Sequence, residues 1–80
     1  MKINLVAFGI TKDILGAREV EYSWEGAQTV GGLLKDLGER YPQLVDLASL
    51  KVAVNNEYAD NGVAITEKDE VVLIPPVSGG

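Results

Sequence analysis

Eighty residues, 46% of them hydrophobic and 24% charged, leave room for one small globular domain with a single core and a thin stability margin. The chain has no cysteine and no histidine, which excludes disulfides, thiolate chemistry, Ser–His and Cys–His nucleophilic pairs and the ordinary kinds of zinc site. Seven Lys and Arg against twelve Asp and Glu give a net charge of −5, and cations scattered singly from Lys2 to Lys68 do not form the clustered surface that nucleic acid requires.

Residues 2–8 alternate, placing Ile3, Leu5 and Ala7 on one face of a strand and Val6 and Phe8 on the other. The first set reads as core. Phe8 is either covered by the fold or left as a contact surface. Residues 9–17 are bounded by glycines and read as a loop with room for one helical turn. Residues 18–24 alternate again, with Val20, Tyr22 and Trp24 inward and Glu19, Glu21 and Ser23 towards water, so an antiparallel pair with the first strand is expected.

Thr29 has the chemistry of a helix N-cap. After it, Val30, Leu33, Leu34, Leu37 and Tyr41 fall on one helical stripe, with Lys35, Asp36, Glu39 and Arg40 outside it and Pro42 as the stop. Gly31 and Gly38, seven apart on one flank, would permit a close backbone approach. Leu44, Val45, Leu47, Ala48 and Leu50 suit a turn or two of packed helix. Lys51–Val54 is a short strand, closed by Asn55-Asn56, and Asp60-Asn61-Gly62 is a second turn. Val71–Ile74 is an unbroken apolar run, as expected of a strand buried on both faces near the centre of a sheet. Strands segregated from one long helix imply an α+β fold, a mixed sheet of four to five strands with one main helix packed across it. A buried last strand beside the first is the arrangement of the ubiquitin-like β-grasp.

The chain continues past that strand as Pro75-Pro76-Val77-Ser78-Gly79-Gly80, which divides it into a body, 1–74, and an extended tail, 75–80. Two prolines remove two N–H donors, so the sheet ladder ends there and the tail leaves it. Six extended residues reach roughly 20 Å. Gly79 and Gly80 have no side chains, so a terminal carboxylate at Gly80 could enter a channel too narrow for any bulkier residue.

The C-terminal run Val71-Val72-Leu73-Ile74-Pro75-Pro76-Val77-Ser78-Gly79-Gly80, with Val52-Ala53-Val54-Asn55 and the acidic turn Lys68-Asp69-Glu70, resembles the small subunit of molybdopterin synthase. The first strand ending in Phe8 and the helix opening with Thr29-Val30 are similar more loosely. The resemblance implies that an E1-like adenylating enzyme uses ATP to activate the Gly80 carboxylate, and that a sulfur donor displaces AMP to leave a thiocarboxylate. It implies that Pro75, Pro76, Val77, Ser78 and Gly79 carry this group into a pocket of the large synthase subunit, where cyclic pyranopterin monophosphate receives the sulfur. A heterotetramer of the two subunits, a docking patch centred on Phe8, and no bound cofactor or metal are implied too. Lys68 departs from the family, whose members commonly carry glycine there, and would strain its turn if its φ were positive.

Three other readings share the same residues: a thiamine-pathway sulfur carrier, a ubiquitin-like modifier whose activated carboxylate is taken by lysine, and a plain interaction domain. No apolar stretch approaches the ~20 residues that span a bilayer, and Met1-Lys2-Ile3-Asn4 lacks a signal-peptide layout. No membrane partner and a cytoplasmic location are therefore expected.

Overall fold

A computed structural model of the chain describes residues 2–45 and 50–75. In chain order they form β1 (Lys2–Ala7), α1 (Gly9–Leu15), β2 (Glu19–Ser23), α2 (Val30–Arg40), α3 (Pro42–Val45), β3 (Lys51–Val54), β4 (Glu57–Tyr58) and β5 (Glu70–Ile74). The five strands make one mixed sheet in the order β2-β1-β5-β3-β4. β1 and β2 are antiparallel, with Ile3 opposite Tyr22 and Leu5 opposite Val20. β5 runs parallel to β1, with Leu5 opposite Val71 and Ala7 opposite Leu73, and antiparallel to β3 on its other side. A parallel pair cannot be closed by a tight turn. The chain between them supplies α2, whose apolar stripe packs on the sheet. This is the ubiquitin-like β-grasp.

The core is built by two periodicities meeting. Ile3, Leu5, Tyr22, Val52, Val71 and Leu73 from the strands and Trp24 just beyond β2 close on Val30, Leu33 and Leu37 from α2 and Leu44 from α3, with Leu34 and Tyr41 packed at its margin. Thr29 caps α2 as its chemistry predicts, its Oγ1 accepting from the Gly32 N–H at 3.1 Å. The close approach expected at Gly31 is made to the turn at Asn61, whose carbonyl accepts the Gly31 N–H at 2.8 Å. A Cβ on Gly31 would lie only 3.1 Å from that oxygen. Tyr22 donates its hydroxyl to Asp36 Oδ2, and Arg40 Nε lies 3.2 Å from the same oxygen while its guanidinium sits 4.9 Å from the Tyr22 ring centroid. Asp36 is thus not an idle solvent-facing residue; it ties α2 to β2. Burial and the bond to Asp36 push the Tyr22 phenol above its usual range.

Two expectations are corrected. Residues 9–15 are a seven-residue helix and not a loop. The glycines that suggested a loop are its boundaries: Gly9 has φ +54, and Gly16, at φ +85, is a left-handed C-cap whose N–H reaches the Lys12 carbonyl at 2.8 Å. Ile14 and Leu15 pack against the core, which holds this short helix in place. Second, β5 is central but not buried on both faces. Val71 and Leu73 are fully buried against α2, whereas Val72 and Ile74 are half-buried on a face that no described element covers. Leu47 and Ala48 lie outside the described residues.

Candidate functional site

β5 lies between β1 and β3, so the chain leaves the body from the middle of the sheet at Ile74 and Pro75, and Pro75 is half-buried there. Pro76, Val77, Ser78, Gly79 and Gly80 lie outside the described residues. What the structure supplies is the surface beside the tail's point of departure.

That surface is the outer face of the sheet. The strand positions out of phase with the core, Val6, Ala53, Val72 and Ile74, form its floor, and Phe8 and Tyr58 stand at its sides. Together with Arg18, Glu19, Asn56 and Glu70 they line an open groove of about 800 Å³. Phe8 is 42% exposed, so it is not core. Its backbone is held where β1 becomes α1: the Phe8 N–H donates to Thr11 Oγ1 at 3.0 Å, and the Thr11 hydroxyl donates back to the Phe8 carbonyl. The Arg18 guanidinium lies 5.5 Å from the Phe8 ring centroid, close enough for a cation–π contact that steadies the exposed ring. Tyr58 is 73% exposed. The Asn55-Asn56 turn, both residues left-handed at φ 52 and 70, folds β4 back on β3 and delivers it to the groove.

A polar clasp fixes the start of β5. Asn55 Nδ2 donates to Asp69 Oδ1 at 2.9 Å, the Thr66 N–H donates to Asp69 Oδ2 at 2.8 Å, and the Glu70 N–H donates to Asn55 Oδ1 at 3.0 Å. The Thr66 backbone bond, then the Asn55 amide, hold the Asp69 carboxyl below its usual value. The strain anticipated at Lys68 does not arise, because the residues with positive φ among those described are Gly9, Gly16, Asn55 and Asn56. The turn before β5 needs no glycine.

Of the residues singled out in the sequence, Phe8 and Pro75 fall beside the β1–β5 end of the sheet. Tyr58, Val72 and Ile74 were not singled out as surface. The signal was present in the period-2 alternation of β5, which an unbroken apolar run conceals.

A family model described as the ThiS family matches residues 6–80, that is, both the outer-face strands and the tail. The chain belongs to the ThiS family. Along its whole length it is 33% identical to the molybdopterin synthase sulfur carrier subunit of Mycobacterium tuberculosis, covering 99% of that protein. Among solved structures, SAMP1 from Haloferax volcanii superimposes with a TM-score of 0.80 at 30% identity, each chain fully covered. The complex of subunits 1 and 2 of the molybdopterin-converting factor from Helicobacter pylori contains a chain of the same fold, with a TM-score of 0.68 at 23% identity and full coverage of both chains. As in other ThiS-family chains, the body is a ubiquitin-like β-grasp. Among the described residues no helix is long and apolar enough to cross a membrane.

Proposed function

We propose that this ThiS-family chain is the sulfur carrier of a molybdopterin synthase, with residues 1–74 as the body, 75–80 as the delivery tail and the Gly80 carboxylate as the reacting group. The observation that carries the reading is the whole-length similarity to a sulfur carrier subunit, combined with a central strand that runs directly into Pro-Pro-Val-Ser-Gly-Gly.

A carboxylate resists substitution until one oxygen becomes a leaving group. In the proposed cycle an E1-like enzyme brings the Gly80 oxygen to the α-phosphorus of ATP, pyrophosphate departs, and an acyl-adenylate forms. A sulfide-level donor attacks the carbonyl carbon and AMP leaves, which places sulfur on the main chain without any cysteine. In the synthase the terminal sulfur attacks a carbon of cyclic pyranopterin monophosphate, and water then cleaves the acyl–sulfur bond, restoring the carboxylate. Two carriers supply the two sulfurs of one dithiolene. The carrier contributes no acid or base, in keeping with a chain that has no histidine. It binds no cofactor of its own; ATP belongs to the activating partner, and the setting is proposed to be cytoplasmic.

The large subunit, in a heterotetramer of two small and two large chains, is proposed to sit on the outer-face groove. Phe8, Tyr58, Val72 and Ile74 supply apolar area, and Arg18, Glu19 and Glu70 supply the polar rim expected of such a contact. Incubation with an E1-like enzyme, ATP and sulfide is expected to add to the intact protein the mass of one sulfur-for-oxygen exchange, localised to Gly80. An unchanged mass with a competent enzyme present overturns the reading.

The 30% identity to SAMP1, a small archaeal modifier protein, favours a second reading in which a lysine amine takes the same activated carboxylate. Isopeptide-linked adducts of this chain on other proteins would select it over the first.

A further inference from the structure

Arg18 stands at the side of the outer-face groove where β1 gives way to α1. Gly16, left-handed at φ +85, turns the chain out of α1. Two residues later the Arg18 carbonyl accepts the Ala7 N–H at 2.8 Å, so the ladder of β1 and β2 runs one pair past Val6 and Glu19. That bond fixes the Arg18 backbone next to Phe8. The Arg18 side chain is exposed, lines the groove, and holds its guanidinium 5.5 Å from the Phe8 ring centroid. Among the described residues that line the groove it is the one cation, set against Glu19 and Glu70. It forms no ion pair with any described residue.

The chain itself shows what an arginine beside a ring takes. Where α2 meets β2, the Arg40 guanidinium lies 4.9 Å from the Tyr22 ring centroid, and its Nε is 3.2 Å from Asp36 Oδ2. A ring and a carboxylate together suit a guanidinium because they use different parts of it: the ring meets the plane, the carboxylate the fork of N–H donors. Arg18 has its ring in Phe8 and stands at an open surface. The ring contact also restrains a long side chain before any partner arrives, which lowers the entropy lost on binding. Phe8 is itself held from behind, its N–H donating to the buried Thr11 hydroxyl at 3.0 Å.

We infer that Arg18, held by Phe8, is the specificity-determining residue of this groove and receives a carboxylate, the side chain of an Asp or Glu of the large synthase subunit. The inference rests on the sulfur-carrier reading, which seats that subunit here. Charge selects the ligand. On a chain of net charge −5, an acidic side chain of the partner is repelled by Glu19 and Glu70 and accepted only at Arg18. An apolar floor of Val6, Ala53, Val72 and Ile74 supplies contact area without direction; one ion pair at its side sets how the partner lies across it. A phosphate group would bring close to two negative charges to a single cation beside two carboxylates, which this groove disfavours.

The test is calorimetric titration of the full chain with the large synthase subunit at low and at high salt. Arg18→Lys, Arg18→Gln and Arg18→Glu are compared with wild type, each checked for folding by its amide NMR spectrum; the side chain is exposed, so all three are expected to fold. At low salt the affinity is expected to fall about threefold in Arg18→Lys, about tenfold in Arg18→Gln and on the order of a hundredfold in Arg18→Glu. High salt should shrink each loss, because an exposed ion pair is screened whereas lost packing is not. In the large subunit, Asp and Glu residues are then replaced singly by Lys. One such change is expected to bring Arg18→Glu back to within about threefold of wild-type affinity while weakening wild type. In a Phe8→Ala background Arg18→Gln should cost less than it does alone, since the ring that holds the guanidinium is gone. Wild-type affinity in Arg18→Glu, a loss indifferent to salt, or no single Lys that restores binding overturns the inference; with wild type still binding, the sulfur-carrier reading stands. A wild-type chain that does not bind the subunit overturns both.

Discussion

On the inner face of the sheet, Ile3, Leu5, Val71 and Leu73 are sealed against α2; on the outer face, one residue along the same strands, Val72 and Ile74 remain half-exposed. Val6 and Ala53 on that outer face are buried by the residues around them, yet nothing among the described elements covers the face as a whole. The side chains are alike in chemistry, so their type does not distinguish core from contact surface. The position of α2 does. Apolar area left uncovered carries a cost in solubility, and this is the face on which the large subunit is proposed to sit.

Substitutions along β5 give the sharpest means of breaking that comparison. Leu73→Ala is expected to cost about 2–5 kcal/mol in chemical denaturation, against about 1 kcal/mol for Val72→Ala. Equal losses would mean that the two faces are not different environments. Next in size is Phe8→Ala, which removes an exposed ring whose residue contributes only backbone to the start of α1. It is expected to weaken capture of the large synthase subunit by about 2 kcal/mol, roughly thirtyfold, while leaving the unfolding midpoint nearly unchanged. Undiminished affinity in a calorimetric titration would place the interface elsewhere.

Smaller effects belong to the polar clasps on either side of the sheet. Tyr22→Phe removes the bond to Asp36 and is expected to cost about 1.5 kcal/mol near neutral pH. Its pH signature is the better discriminator. The folded-state value of Tyr22 lies above its ordinary 10.0, so its stabilising contribution is complete below that pH and is lost as pH rises above it. The variant should lack this alkaline decline, and an unchanged alkaline limb would deny Tyr22 its role in joining α2 to β2. Asp69 has the opposite sign and the least effect. Its folded value lies below the ordinary 3.8, so its contribution is present above that pH and vanishes as pH falls through the lower value. Asp69→Asn is expected to flatten the acid limb slightly in a denaturation series below pH 4, and wild-type behaviour of that variant would show the clasp to be energetically idle.

Much of this was legible from local pattern. The stripe of α2, its Thr29 cap, the inward residues of β1 and β2 and the left-handed Asn55-Asn56 turn follow from periodicity and side-chain geometry, which depend on neighbours in the chain. Residues whose surroundings are assembled from afar were harder to read. Ile65 ends a short apolar run, Val63-Ala64-Ile65, yet it alone of the three is buried, drawn in as its N–H reaches the Gln28 carbonyl at 2.9 Å. The sequence does not say which of the three goes inward. α1 was hidden for a related reason, since glycines at both ends mark a loop and a tightly bounded helix equally well.

The order of residues alone settles which positions are apolar, where α2 and the longer strands can form, and that two prolines must end the last strand, because these depend on covalent geometry and short-range sterics. It is silent on which of two apolar faces is covered, on the bond from Tyr22 to Asp36, and on the approach of Gly9 to Pro75. Each of those joins residues at least fourteen positions apart, and such contacts exist only once β5 has paired with β1 and α2 has closed over one side of the sheet.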